Sequence, residues 1–289
     1  MNKLITLVFS AYQSHHLLSN ILRKLDKNFK IIVIENSLDN KLKKNLEKKF
    51  KNVEVIIPKE NLGLAKTYNL GIQKAKTKYV FLNNPDHEIS NQNIKQLFEC
   101  ANKIKKFGII SPTYKDEKIY KNYEIYNPKY NNKSALFKKY GIVEVDIIDN
   151  CFFINKKNIK RNFFDEKFFL YFETFDFCKN LKKRGKKLYV CKKIKYHHAG
   201  ASSVNKKFDT IVNLTRAFHY NWSKFYFFKK NYNYLYAIKK ILPNFIKSIK
   251  KILLSLIKFD KKNLISGLIE IYGILTAIIF FKSFYRPKN

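Results

Sequence analysis

Five short polar groups interrupt the apolar runs of this sequence, and each could do chemistry. Glu35-Asn36-Ser37 follows the run IIVIE. An acidic side chain there can accept a hydrogen bond from a nucleobase N–H, or serve as a plain turn or helix-cap residue. Asn61-Leu62-Gly63-Leu64-Ala65, with Asn69 and Gly71 beyond, sets a glycine where the backbone can approach a ligand or take a positive φ. A helix beginning there would aim its N-terminus at an anion; an ordinary turn is the plainer reading. Asn83-Asn84-Pro85-Asp86 follows YVFL. A carboxylate stiffened by a preceding proline suits a hard cation that shares a diphosphate, and the same residues suit a type I turn. His87 and Glu88, next in line, could supplement a metal site. Residues 163–178 (FFDEKFFLYFETFDFC) set Asp165, Glu166, Glu173 and Asp176 among aromatics. Carboxylates in apolar surroundings have raised pKa values and can act as general bases near neutral pH. Finally, Tyr196-His197-His198 leads into a small-residue stretch, 199–203. Paired histidines can ligate metal, bind phosphate or simply be structural.

Something must hold these groups in place. Continuous apolar runs at 4–10, 31–35, 53–57, 79–82 and 109–111 read as strands, and they alternate with helical patterns at 15–25, 42–50, 64–75 and 91–107. Such alternation predicts a mainly parallel sheet covered by helices on both faces. Ligands of such sheets sit beyond the C-terminal ends of the strands, which is where the first three polar groups fall. From 114 to 162 the sequence turns rich in Tyr, Asn and Lys, with one strand-like run at 143–154.

Composition narrows the function classes. A net charge of +36 favours anionic partners. Arginine, however, appears only at Arg23, Arg161, Arg184, Arg216 and Arg286. Without arginine clusters or a recognised binding motif, a nucleic-acid partner is not expected. The four cysteines show no C-x-x-C spacing and read as buried free thiols. No signal peptide is visible at the start.

The C-terminal third differs again. Residues 223–263 carry eleven lysines against one acid, Asp260. Ile238, Ile241, Leu242, Phe245, Ile249, Leu253 and Leu256 recur at three- and four-residue steps, predicting a basic amphipathic helix near Pro243. Residues 264–281 are mostly apolar but contain Glu270, which favours a membrane-embedded or interfacial hairpin over a true span or a packed soluble helix.

The motifs IENS, ENLGLAKTYNLG, LNNPDHE, FDEKFFLYFETFDFCKNLKKRG and YHHAGASS, in this order, resemble those of the family-2 inverting glycosyltransferases, and among them the bacterial rhamnosyltransferase-like branch. The likeness covers about 4–203. It implies a GT-A fold, an α/β Rossmann-like domain over 1–205 with a nucleotide-binding half (1–112) and an acceptor half (113–205). A helical, membrane-associating region would occupy 206–289. The implied donor is a nucleotide sugar, dTDP-rhamnose or a UDP-sugar. The implied acceptor is a glycan or polyprenyl-diphosphate-linked saccharide in cell-surface polysaccharide synthesis, at an anionic membrane surface on the cytoplasmic side of a bacterial inner membrane. Carried onto this sequence, the resemblance assigns Glu35 to the nucleobase. It assigns Asp86 and His197 to a divalent metal, Mn²⁺ or Mg²⁺, and Ser10, Tyr12, Asn61, Gly63, Asn69 and Asn84 to the donor. Glu173 and Asp176 would supply the base. Thr174 departs from the pattern, since it stands where the family has its usual Asp base and cannot take a proton at neutral pH. Either Glu173 or Asp176 replaces that Asp, or the chain is an impaired member acting as a binding subunit.

Overall fold

The computed structural model describes residues 2–126, 134–159, 163–198 and 208–286. The chain divides into two compact units. The first comprises 1–62, 66–164 and 177–204; the second comprises 63–65, 165–176 and 205–289.

Its elements are, in order, β1 (Ile5–Ala11), α1 (His15–Lys24), β2 (Lys30–Glu35), α2 (Asn40–Lys49), β3 (Val53–Ile56), α3 (Gly63–Lys74), β4 (Tyr79–Asn83), β5 (His87–Glu88), α4 (Asn91–Lys103), β6 (Phe107–Tyr114), β7 (Tyr123–Glu124), α5 (Ala135–Tyr140), β8 (Ile142–Val145), β9 (Ile147–Ile148), β10 (Phe152–Asn155), α6 (Lys156–Ile159), α7 (Glu173–Lys183) and β11 (Lys187–His198). Three helices follow: α8 (Asp209–Asn231), α9 (Tyr234–Ile257) and α10 (Lys261–Ile278).

In the first unit the strands run in the order β3-β2-β1-β4-β10-β6-β11-β5, with β8 on β11. The stretch β3-β2-β1-β4 is parallel. The expected mainly parallel sheet is instead mixed, because β10 enters antiparallel between β4 and β6. Alternate residues of β1 face opposite ways. Ile5, Leu7, Phe9 and Ala11 join the core with Leu18, Ile21 and Leu22 of α1 and Leu42 and Leu46 of α2. Val8 faces the other side, where a Cβ on Gly71 of α3 would sit 2.3 Å from its Cγ1; glycine there lets the helix lie against the strand. Each such buried aliphatic or aromatic side chain contributes about 1.5–3 kcal/mol. Helix starts are marked by their caps: Asp39 accepts from Lys41 and Leu42 N–H, and Ser90 from Asn93 N–H.

Two boundaries differ from expectation. The helix predicted over 91–107 stops at Lys103, where the chain extends at Ile104 and Lys106 takes φ +60°, so Phe107 opens β6. The run 143–154 is not one strand but β8, β9 and β10, broken at Cys151, whose φ is +57°. All four cysteines are buried and unbridged.

The second unit is built on α8, α9 and α10. Phe218, Trp222 and Phe225 of α8 pack with Ala237 and Ile241 of α9 and Ile274 and Ala277 of α10. It also takes in Asp165–Asp176, which the sequence division at 205 puts with the first domain. Aromatic contacts explain this: Phe168 meets Tyr226, Phe169 meets His219, and Phe172 meets Phe227. The face predicted for α9 is split. Ile241 is buried, while Leu242, Ile249, Leu253 and Leu256 are exposed. Pro243 lies inside the helix without ending it. Glu270 does not face outward alone: its carboxylate accepts from Ser248 Oγ at 2.7 Å and Lys251 Nζ at 2.8 Å. No described helix is long and apolar enough to cross a membrane.

Candidate active site

Glu35 is the last residue of β2, paired with Ala11 at the end of β1. The loops beyond are knitted together: Asn36 N–H donates to Ala11 O at 2.9 Å, and Gln13 N–H to Ser37 Oγ at 2.6 Å. Gln13 adopts φ +51° to reach it. Glu35 is fully buried, and its Oε1 accepts from Ser37 N–H at 2.6 Å. Its Oε2 is buried with no hydrogen-bond partner among the described residues. Burial is the main reason its pKa is raised, against the lowering pull of Ser37. A buried acceptor without a donor is costly, and a ligand N–H reaching Oε2 would relieve that cost.

Asp86 follows β4, on the opposite side of β1 from β2. Parallel neighbours about 4.8 Å apart put the ends of β2 and β4 roughly 10 Å from each other across one strand. The segment forms the turn that its residue types favour. His87 N–H closes a turn onto Asn84 O at 3.1 Å, and the turn holds Asp86 out at the strand end. The Asn84 side chain accepts from Tyr68 OH at 2.9 Å. His87 lies buried beneath, its Nε2 3.6 Å from Asp86 Oδ1 and its Nδ1 3.6 Å from Cys151 Sγ. The Cys151 thiol is pushed far above its usual range by burial first, and then by the charges of Asp86 and Asp149, so it stays protonated.

Asp86 and His197 line one cleft of about 370 Å³, with Glu88, Pro85 and the α1 residues Leu17, Asn20, Ile21, Arg23 and Lys24. His197 is brought there by β11, which pairs it with Glu88. Glu88 itself is paired with Lys24. The rest of that motif, 199–203, lies outside the described residues. Among the described residues no group of three or more His, Cys, Asp and Glu is arranged to hold a metal. Asp86 and His197 are the carboxylate and imidazole of that cleft, two donor types a divalent cation accepts. The α1 contribution was missed from sequence, although the spacing of Leu17, Asn20, Ile21 and Lys24 marks one helical face.

Two residues expected at the donor lie against the chain itself. Both ends of the Asn69 amide bond the backbone of Phe164, donating to its O and accepting from its N–H, each at 2.9 Å. Gly63 takes φ +68°, and an added Cβ would come within 2.3 Å of Phe169 O, so the close approach it permits is to the chain itself. Leu64 N–H, in the first turn of α3, donates to the same oxygen at 2.7 Å. Gly63 thus marks a turn, and that first-turn amide does not face an anion. Asn61 is half-buried in the loop just before it. Asn36, of the Glu35-Asn36-Ser37 group, ties this loop down by accepting from Leu62 N–H at 3.0 Å and donating to Thr67 Oγ1 at 2.9 Å. Ser10 and Tyr12 are half-buried at the end of β1.

In the second unit, Asp176 is held tightly. Its Oδ2 meets Lys230 Nζ at 2.6 Å, and its Oδ1 accepts from Asn231 Nδ2 at 2.9 Å. Lys230 also reaches Asp165 at 2.8 Å. Burial alone would lower the lysine's pKa, but the two carboxylates outweigh it and raise it. Glu173, the first residue of α7, is buried at 3% exposure, and Thr174 beside it is buried too.

A family model described as glycosyl transferase family 2 matches residues 14–163. No curated protein matches the chain in sequence. Among solved structures it resembles GalNAc-T7, solved with UDP, GalNAc and Mn²⁺, at 14% identity over 83% of this chain and 56% of that one, TM-score 0.55. It resembles S. aureus TarS at 12% identity over 92% of this chain and 55% of that one, TM-score 0.51. It also resembles the mannosyltransferase PcManGT of Pyrobaculum calidifontis, in complex with GDP-Man and Mn²⁺, at 10% identity over 96% and 87%, TM-score 0.55. At such identities the likeness shows the fold. The chain spans little more than half the length of the first two.

Proposed function

The chain belongs to glycosyl transferase family 2, and from that membership we propose that it transfers a sugar, with inversion, from dTDP-rhamnose or a UDP-sugar to a hydroxyl of a glycan or lipid-linked saccharide. The observation that carries the donor assignment is Glu35. Its buried, unpartnered Oε2 lies at the end of the strand next to β1, and it complements the imide N–H of a thymine or uracil ring. Asp86, at the end of β4, then falls about where the diphosphate of such a nucleotide ends. Asp86 and His197 would hold Mn²⁺ or Mg²⁺ there, and the bound ion would neutralise charge building on the departing diphosphate.

Glu173 is the proposed base. It takes the proton of the acceptor hydroxyl as that oxygen bonds to the anomeric carbon, the bond from that carbon to the diphosphate oxygen breaks, and one displacement inverts the centre. Asp176 is the weaker candidate, because both its oxygens are engaged by Lys230 and Asn231. Its role in this reading is to anchor the start of α7, which carries Glu173.

A thermal-shift panel of nucleotide sugars, each with and without Mn²⁺, tests the reading. A Mn²⁺-dependent stabilisation by one dTDP- or UDP-sugar, followed by release of the free nucleoside diphosphate in its presence, is the expected result. Stabilisation by none of them would overturn it.

A further inference from the structure

The second unit carries two apolar faces where three packed helices need one. In α9 the inward face is Ala237, Ile241, Ser248 and Ser255; in α10 it includes Gly267, Ile274 and Ala277. Both helices bear a second apolar stripe that points to solvent. On α9 it is Leu242, Ile246, Ile249, Leu253 and Ile257, at steps of three and four residues. On α10 it is Ile265, Leu268, Tyr272 and Leu275, continued by the C-cap residue Ile279, at the same steps. Phe259, 94% exposed, forms the tip between the two helices. Most of the exposed large apolar side chains of the described residues lie in 234–284. Apolar surface this contiguous marks an interaction site.

Charge says what the surface meets. Lys239, Lys240, Lys247, Lys250 and Lys258 are all exposed around the α9 stripe. Acidic residues are withdrawn from it: Glu270 is turned onto Ser248 and Lys251, and Asp260 accepts from Asn263 N–H to cap α10. A second copy of this chain would bring the same lysines against themselves. A bilayer rich in anionic headgroups offers hydrocarbon to the stripes and negative charge to the lysines. No described helix is fit to cross it, so the helices lie along it; α9, with 24 residues, is about 36 Å long.

We propose that the α9–α10 hairpin binds flat on an anionic membrane surface, with the two leucine- and isoleucine-rich stripes immersed and the lysines at headgroup level. This stands independently of the transfer reaction, since its test reads binding alone. The full chain is floated with vesicles of phosphatidylcholine, or of phosphatidylcholine with phosphatidylglycerol, at low and high salt. The expected result is at least ten-fold more protein with the anionic vesicles, reduced by salt. A Leu253→Asp/Leu268→Asp variant, altered only at exposed positions, should lose that binding at least ten-fold with unchanged circular dichroism. If that variant misfolds, Lys247→Glu/Lys250→Glu carries the test and should lose the preference for anionic vesicles. Equal flotation with both vesicle types, or a folded Leu253→Asp/Leu268→Asp variant that still floats, would overturn the proposal. So would a dimer in solution that this double variant dissociates, since a second copy would then cover the face.

Discussion

Replacing Glu35 by glutamine should move affinity and stability in opposite directions. In the native protein Oε1 takes the Ser37 N–H at 2.6 Å, and Oε2 is buried without a partner. Glutamine keeps the first bond and puts an NH₂ group where the base N–H would donate. The loss is one hydrogen bond to a charged acceptor, worth about 1.5–3 kcal/mol, so the Kd for UDP or dTDP should rise roughly ten- to a hundred-fold. Stability should change the other way. Burial raises the carboxyl's pKa, so the folded state resists ionisation more than the unfolded chain does. Stability from this group is complete below the unfolded pKa and is lost as pH climbs through the raised folded one. At neutral pH Glu35→Gln removes that penalty, so Tm should rise, and the rise should vanish in acid. Native nucleotide affinity should weaken as pH falls through the same raised pKa. Calorimetric titration with nucleotide in Mn²⁺, beside thermal melts at several pH values, reads both. Unchanged affinity in the variant would refute the base-contact reasoning, and a lower Tm would refute the account of its burial.

Three further outcomes follow from the geometry. Asp86→Asn should abolish the Mn²⁺-dependent part of nucleotide affinity, at least about ten-fold or ~1.4 kcal/mol, with Tm little changed; titrations with and without Mn²⁺ decide it. Glu173→Gln should stop turnover while nucleotide still binds, whereas Asp176→Asn should lower stability by roughly 1–3 kcal/mol through the bonds to Lys230 and Asn231; coupled nucleotide-release assays and denaturant melts separate the two. The second unit should weaken in acid through His219, whose pKa is pushed down to about 3, chiefly by burial and further by Arg286, against the raising effect of Tyr285 O. The unfolded chain takes that proton near 6.5 and the folded one does not. Stability should therefore fall, by up to ~1.4 kcal/mol per pH unit, as pH drops from about 6.5 toward 3, and His219→Gln should flatten that acid limb in melts taken against pH.

The parts of the fold written in local pattern were legible. Strands β1, β2 and β4 are largely continuous apolar runs, β3 alternates around Glu54, and the turn holding Asp86 announces itself in Asn-Asn-Pro-Asp. What escaped was non-local. β10 enters antiparallel between β4 and β6, a pairing no spacing encodes. Asp176 and Lys230 are 54 residues apart, so nothing near the acid foretold that its oxygens were engaged. Asn69 looked like a donor contact because its motif is one, yet its partner is Phe164, 95 residues on. Glu35 was visible as a strand-end acid, but the burial of its second oxygen is a tertiary property that its neighbours in sequence do not encode. The extra face of α9 and α10 was half legible. Its period was clear, but a three- and four-residue repeat does not say which of two apolar stripes turns inward.

Thr174 bears on whether the chain works as a catalyst or only binds, and the segment before it favours catalysis. Tyr171 and Phe172 take φ +68° and +62° in succession, a conformation costly for bulky side chains. It is maintained because Phe172 is wedged among Phe175, Tyr220 and Phe227. The strained pair delivers the chain into α7 with Glu173 as its first residue and a carboxylate that is almost fully buried. A binding subunit gains nothing from this arrangement: two strained residues oppose folding, and a relaxed turn would serve as well. A transferase needs an acid-base group shielded from water and rigidly aimed. The cost is therefore accounted for if Glu173 receives the acceptor's proton, and has no counterpart if the chain merely holds a sugar nucleotide.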